Sequence, residues 1–450
     1  MLSKAALLLA FAIVVVFGYS DDYNSNHRMM ANENQTAVFC YINGSRLENQ
    51  ARRNPYQNNY FSIEHVKVDL CTHLVYGAAV LEPNQWTIRA INQDMEQGRS
   101  GNKISFDEIT ELARRKSNLQ ILISVSGSPI DFSNMARSHR EHFAKNAKEF
   151  LRRHKFDGMN IDWQYPTRRG GKPEDKQNFG LLMKELKIAF RDDAKVLTAS
   201  LSPLRQNVIE GYDYVDNVMM DSVDYWFVMA FEYYGHWSNR IGANAPIRGR
   251  ERLGVEKTIS DAKQLFQHHS YKLVLVVPFY GKKYQLKEEL RGEESPINKD
   301  YVNLHAPSEN VVLSYRDVCQ KMSNEHGWRR GWDEDAKVPF IVKDMAAIVY
   351  EDAQSVKEKT SLALRQRLGG VMAFSLDMDD YIGDCSNDGR RGVSDNYNYN
   401  RRDGNNRNYP LLQSMYETVE RGPNSAGLTS ASILFVLVNA IFALRFMTHN

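Results

Sequence analysis

Cysteine is scarce in this sequence. Four occur in 450 residues, Cys40, Cys71, Cys319 and Cys385, and none forms a CxxC pair, which argues against a zinc ribbon. Charge of one sign is missing too. The 57 Lys and Arg stand against 55 Asp and Glu, a formal net charge of +2, so no bulk field draws nucleic acid and no such partner is expected. The twelve His form no HExxH, and neither a metal nor a cofactor is expected. The basic pairs Arg152-Arg153, Arg168-Arg169 and Arg401-Arg402 are scattered and read as solvated surface. With 42% hydrophobic and 25% charged residues, the composition excludes disorder, collagen and coiled coil for most of the chain.

Both ends carry apolar runs. Lys4 precedes Ala5 to Phe17, and Gly18 and Ser20 sit at −3 and −1 to a cut before Asp21. Residues 1–20 therefore read as a secretory signal peptide. Secretion makes the sequons at Asn34 and Asn43 candidate glycosylation sites and lets the four cysteines pair. Three connectivities are open; the simplest joins near neighbours, Cys40 to Cys71 and Cys319 to Cys385. At the other end, Ile433 to Phe446 is short for a bilayer span and follows the small residues Asn424 to Gly427. Residues 424–450 read as a glycolipid-anchor signal, with a short transmembrane anchor as the alternative. Either would tether the protein to an outer membrane surface.

Between these ends, short apolar runs alternate with amphipathic stretches. Strands are expected at Val38–Ile42, Thr72–Leu81, Leu119–Ser126, Gly158–Trp163, Val196–Ser202, Val223–Phe231, Leu273–Gly281 and Gly370–Leu376. The runs are nearly continuous, as in strands buried on both faces. Helical spacing marks Phe106–Arg115, Arg140–His154, Lys176–Phe190, Ile259–His268 and Val356–Leu368, and a closing helix is expected at Tyr409–Val419. Eight strands with crossover helices imply an α/β fold, a (β/α)8 TIM barrel over residues 21–423. An open doubly wound sheet is the alternative, but no GxGxxG follows the first strand. The longest gap between strands follows the seventh, where about 282–346 reads as an inserted α+β subdomain. Residues 386–408 hold seven Asn and read as a flexible loop.

The fourth expected strand carries the chemistry. It runs Asp157-Gly158-Met159-Asn160-Ile161-Asp162-Trp163-Gln164-Tyr165-Pro166. Strand side chains alternate, so Asn160, Asp162 and Gln164 share one face, and Ile161, Trp163 and Tyr165 the other. The apolar set must meet the helices, leaving the polar set inside the barrel near its C-terminal mouth. Three stacked polar groups there are costly unless they bond one another or a ligand.

This stretch resembles the DGxDxDWEYP signature of family 18 glycoside hydrolases, the chitinases and chitinase-like lectins. The similarity extends from about Val38 to Val419. Cys71 to Tyr76 resembles the family's second strand, Ser124 to Gly127 its SxGG strand, and Met229 to Glu232 its MxYD strand. Trp332 to Pro339 resembles part of its insertion, and Leu376 to Asp380 the end of its eighth strand. The family's usual disulfides would fall on Cys40–Cys71 and Cys319–Cys385. The resemblance implies a monomer that binds chitin or other N-acetylglucosamine glycans, and it assigns Asp157, Met229, Phe231, Glu232, Phe374 and Tyr280 to substrate contact.

It also implies a mechanism in which a Glu protonates the glycosidic oxygen while the substrate's own acetamido group attacks, an exception to the two-carboxylate rule. At the acid position this chain has Gln164. An amide donates hydrogen bonds but releases no proton. Asp162 matches the orienting carboxylate. Asn160 replaces the inner Asp, Phe231 a Tyr, Glu232 an Asp and Phe374 a Trp. The expectation is a secreted or tethered protein that binds such glycans and cleaves them poorly or not at all. A low-activity chitinase and a growth-factor-like signalling protein are the alternatives.

Overall fold

The computed structural model describes residues 36–51, 61–91, 105–215, 217–302, 311–383, 385 and 408–422. The expected signal peptide, the Asn34 sequon, nearly all of the Asn-rich loop and the C-terminal tail lie outside these residues.

Fourteen strands form among the described residues: β1 (Ala37–Asn43), β2 (His73–Glu82), β3 (Thr87–Ala90), β4 (Gln120–Ser126), β5 (Gly158–Ile161), β6 (Val196–Leu201), β7 (Tyr225–Val228), β8 (Leu273–Pro278), β9 (Tyr280–Gln285), β10 (Val312–Ser314), β11 (Arg329–Asp333), β12 (Val338–Lys343), β13 (Ala346–Val349) and β14 (Gly370–Phe374). Eight of them pair in parallel around a ring, β1-β2-β4-β5-β6-β7-β8-β14, and β14 returns to β1. Closure removes every free edge from a set of strands whose residues are almost all buried. This is the (β/α)8 barrel that the apolar runs imply, with each expected strand present.

The crossover helices lie where helical spacing puts them, including Arg140–His154 and Asp175–Phe190. The helices Gly44–Ala51, Arg205–Gly211 and Asn217–Ser222 were not expected, nor was Pro129–Ser138. Its start was written locally: Pro129 takes the first helical position and the Ser128 hydroxyl accepts the Asp131 N–H at 3.1 Å, a standard N-cap. A further hairpin strand, β3, lies antiparallel to β2. The long segment between β8 and β14 holds a five-stranded antiparallel sheet, in the order β10-β9-β13-β12-β11. Both near-neighbour disulfides form, Cys40–Cys71 and Cys319–Cys385. No described helix is long and apolar enough to cross a membrane.

The alternation read from the fourth expected strand is present in β5. Ile161 and Trp163 face outward and are fully buried. The Trp163 indole stacks on Phe132 at 5.4 Å and meets Phe179 edge-on, both carried by covering helices. Inside, the lower barrel is closed by Phe39, which stacks on His73 at 4.3 Å and touches Phe227 across the bore. With the floor filled by apolar rings, the polar inward face of β5 is left near the mouth.

Candidate active site

Three tiers of side chains rise above that floor. In the lowest, Asn160 is buried and fully engaged. Its Nδ2 donates to Ser124 Oγ at 3.0 Å and to Ser200 Oγ at 3.4 Å, and its Oδ1 accepts from Thr198 Oγ1 at 3.1 Å. These hydroxyls come from β4 and β6, the strands flanking β5. Tyr41, from β1, hydrogen-bonds Ser124, and burial followed by the nearby Asp162 charge pushes its phenol up. A neutral amide thus sits in a neutral, satisfied network, as a dry interior demands.

The second tier holds the one carboxylate at the centre. Gln164 Nε2 donates to Asp162 Oδ1 at 3.0 Å. Burial raises the Asp162 carboxyl above its ordinary range, while hydrogen bonds from Ser200 and Gln164 pull it back. The second Gln164 N–H remains to be offered elsewhere.

The third tier is aromatic. Phe231 stacks on Phe374 at 5.3 Å, Tyr41 lies against Phe374 at 4.7 Å, and Tyr280 meets Phe231 edge-on. Beside it, the Tyr280 hydroxyl donates to Glu232 Oε1 at 3.1 Å. Lys282 Nζ lies 3.6 Å from the same oxygen, donates to the Tyr234 carbonyl at 2.9 Å, and sits 4.4 Å from the Trp237 ring centre. Lys282 is buried, and burial lowers its pKa despite Glu232. Glu232 itself has a positive φ of 58°, uncommon for a residue with a side chain, and its N–H is held by Asn244 Oδ1 at 3.2 Å.

The sequence profile of Glycosyl hydrolases family 18 matches residues 37–379, spanning every tier. The chain belongs to that family. It is 30% identical over 406 residues to Probable chitinase 2 of Drosophila melanogaster, covering 84% of this chain and 80% of that one. Against Chitotriosidase-1 of Mus musculus it is 28% identical over 373 residues, covering 78% and 75%. The solved Group IV chitinase of Ostrinia furnacalis, in complex with allosamidin, superposes with a TM-score of 0.70 at 26% identity, covering 86% of this chain and all but 1% of that one (99%).

The family barrel gathers Asn160, Asp162, Gln164, Phe231, Glu232, Phe374 and Tyr280. Met229 lies half-buried against the barrel core just below Phe231. Asp157 is a correction. It precedes β5 at the opposite end of the strand, where its Oδ2 accepts the Ile121 N–H at 2.8 Å. The four residues of β5, about 13 Å at roughly 3.3 Å each, separate it from the mouth, so it ties β4 to β5 and does not reach a ligand there. Two neighbouring tyrosines, Tyr233 and Tyr234, are buried, with hydroxyls bonded to Thr258 and the Arg250 carbonyl. Trp86 stacks on His139 at 4.3 Å, while Trp237 is 64% exposed and free to meet a ligand.

Tyr41, Thr198, Ser200 and Lys282 are the partners that sequence reading missed. Thr198 and Ser200 alternate along an apolar strand, a legible sign of an inward polar face. Nothing marks Lys282. Among the described residues no group of three or more His, Cys, Asp or Glu could hold a metal ion.

Proposed function

We propose that this protein is a secreted or surface-tethered binder of chitin and related N-acetylglucosamine oligosaccharides that has lost most or all hydrolytic power. The carrying observation is the carboxamide of Gln164 beside Asp162. The family resemblance puts the proton-donating Glu at this position. Gln164 still donates a hydrogen bond to a glycosidic oxygen, and Asp162 still accepts one from an acetamido N–H, so recognition survives where protonation does not. General acid help is worth about 10² to 10⁴ in rate.

Three neighbours support the same reading. Asn160 takes no part in a carboxylate relay, because both ends of its amide are used by hydroxyls. Phe231 brings no hydroxyl to an acetamido carbonyl. Glu232, the carboxylate beside Phe231, is engaged as an acceptor by Tyr280 and Lys282 and is poorly placed to serve as a substitute acid. Binding draws support from the Phe231–Phe374 platform and exposed Trp237, since sugar faces pack on aromatic rings, and from the allosamidin complex of the Ostrinia relative. Pairing of all four cysteines favours an oxidising, extracellular setting.

The test is release of a fluorescent leaving group from chitobiose and chitotriose substrates by the secreted protein, beside Gln164→Glu. The wild type is expected to be silent and still to be retained on chitin beads and eluted by soluble oligomer. Brisk wild-type turnover would end the inactive reading. Failure to bind any chitin oligomer would leave the signalling alternative.

A further inference from the structure

Asn43 ends β1 on the face of the strand that looks into the bore. Phe39 on the same face closes the barrel floor, and Tyr41, two residues on, reaches Ser124 beneath the Asp162–Gln164 tier. Strand alternation carries Asn43 one step higher, to the rim of the mouth. Its cross-strand neighbour on β2 is Gly77, which brings no side chain of its own and leaves room for the Tyr41 phenol to lie across it, below Asn43. Asn43 Oδ1 accepts the Ser45 N–H at 3.1 Å and caps the helix Gly44–Ala51. Nδ2 has no acceptor among the described residues, and Asn43 is half-buried. Asn43-Gly44-Ser45 is an N-glycosylation acceptor.

We infer that Asn43 carries an N-linked glycan whose first two sugars lie over the mouth of the barrel and act as an internal competitor for its binding site. The transfer is balanced. Nδ2 forms a bond to the anomeric carbon of a lipid-pyrophosphate-linked oligosaccharide, the carbon–oxygen bond to pyrophosphate breaks, the lipid pyrophosphate leaves, and the amide loses one proton. Oδ1 is untouched, so the cap at Ser45 survives. An N-linked glycan begins with two β1,4-linked N-acetylglucosamines, the repeating unit of chitin. The chain thereby tethers to its own rim the ligand chemistry proposed above, and this competition rests on that reading. A short tether holds its ligand at about millimolar effective concentration, which suffices to occupy a weak two-sugar subsite for much of the time.

The full chain is made in a eukaryotic secretory host, and residue 43 occupancy is read by peptide mass spectrometry. Ser45→Ala removes the acceptor motif while keeping the backbone cap, and Asn43→Gln is the second variant. Access to the site is read without any sugar, as the rate of maleimide labelling of Gln164→Cys with and without Ser45→Ala. The expected results are an occupied Asn43, labelling faster by about threefold in Ser45→Ala, and a similar gain in affinity for N-acetylglucosamine hexamer, as follows when the open fraction rises from a third to one. Thr36→Ala, which removes the Asn34 sequon, should change neither. An unmodified Asn43, equal labelling rates, or equal acceleration by Thr36→Ala overturns the inference. Faster labelling with no hexamer binding in either form upholds the occluding glycan and rejects chitin as the ligand class.

Discussion

Asp162 and Asp379 both follow barrel strands and both are taken out of bulk water, yet they are held in different ways. Asp379 accepts from the backbone N–H groups of Asp380, Leu411 and Leu412, at 2.8, 3.3 and 2.9 Å. It thereby caps the closing helix Pro410–Arg421. Asp162 is served by side chains, the Gln164 amide and the Ser200 hydroxyl. Backbone donors are fixed by the fold, and an acid they saturate is part of the frame. Side-chain donors turn away at little cost, and an acid they serve can trade them for a ligand. The two carboxylates also show why losing acids at the centre leaves the barrel intact: the frame's acids lie elsewhere.

The contrast can be pushed hardest at the centre. Restoring acid and relay together, Gln164→Glu with Asn160→Asp and Phe231→Tyr, is expected to raise turnover of a chitotriose substrate by about 10² to 10⁴ while the unfolding midpoint moves little. If turnover stays flat, the lesion lies outside the three positions.

Next come the acids themselves. Asp379→Ala strands buried N–H donors and removes a cap, costing about 3 kcal/mol, whereas Asp162→Ala should cost less than about 1 kcal/mol. Urea unfolding of both variants measures this, and equal losses would erase the distinction between frame and site. The frame acid also has a pH signature. Burial raises the Asp379 carboxyl to about 7. The folded state then holds a proton that the unfolded state has released, so its contribution declines as pH rises from the ordinary carboxylate range to about 7. Asp379→Asn should flatten that part of the stability profile, and an unchanged slope would count against it.

The smallest effect is expected at Lys282. Its ammonium lies over exposed Trp237 and beside Glu232. Lys282→Met removes a cation–π contact of about 0.5–1 kcal/mol and should weaken hexamer binding by about two- to fivefold. Unaltered affinity would mean that Trp237 needs no such support.

Much of the barrel could be read from the chain. Eight apolar runs announced eight strands, and period-two alternation assigned Asn160, Asp162 and Gln164 to the bore because Ile161 and Trp163 had to meet helices. Helix Pro129–Ser138 escaped, although Ser128 and Pro129 spelled its start. Asp157 was misjudged because it belongs to the same short motif as Gln164, and a motif does not reveal which end of a strand it occupies.

Residue identity alone settled that the central position holds a carboxamide, and with it that no proton can leave from Gln164, since that follows from bond chemistry in any fold. Strand order was likewise encoded locally, in the spacing of apolar residues. Tertiary structure decided what surrounds that amide. Ser124, Thr198 and Ser200 lie 36 to 40 residues from Asn160, and Tyr280 lies further still from its partner Glu232, 48 residues along the chain. Barrel closure brings such distant groups within bonding distance, and local sequence patterns carry no record of that closure.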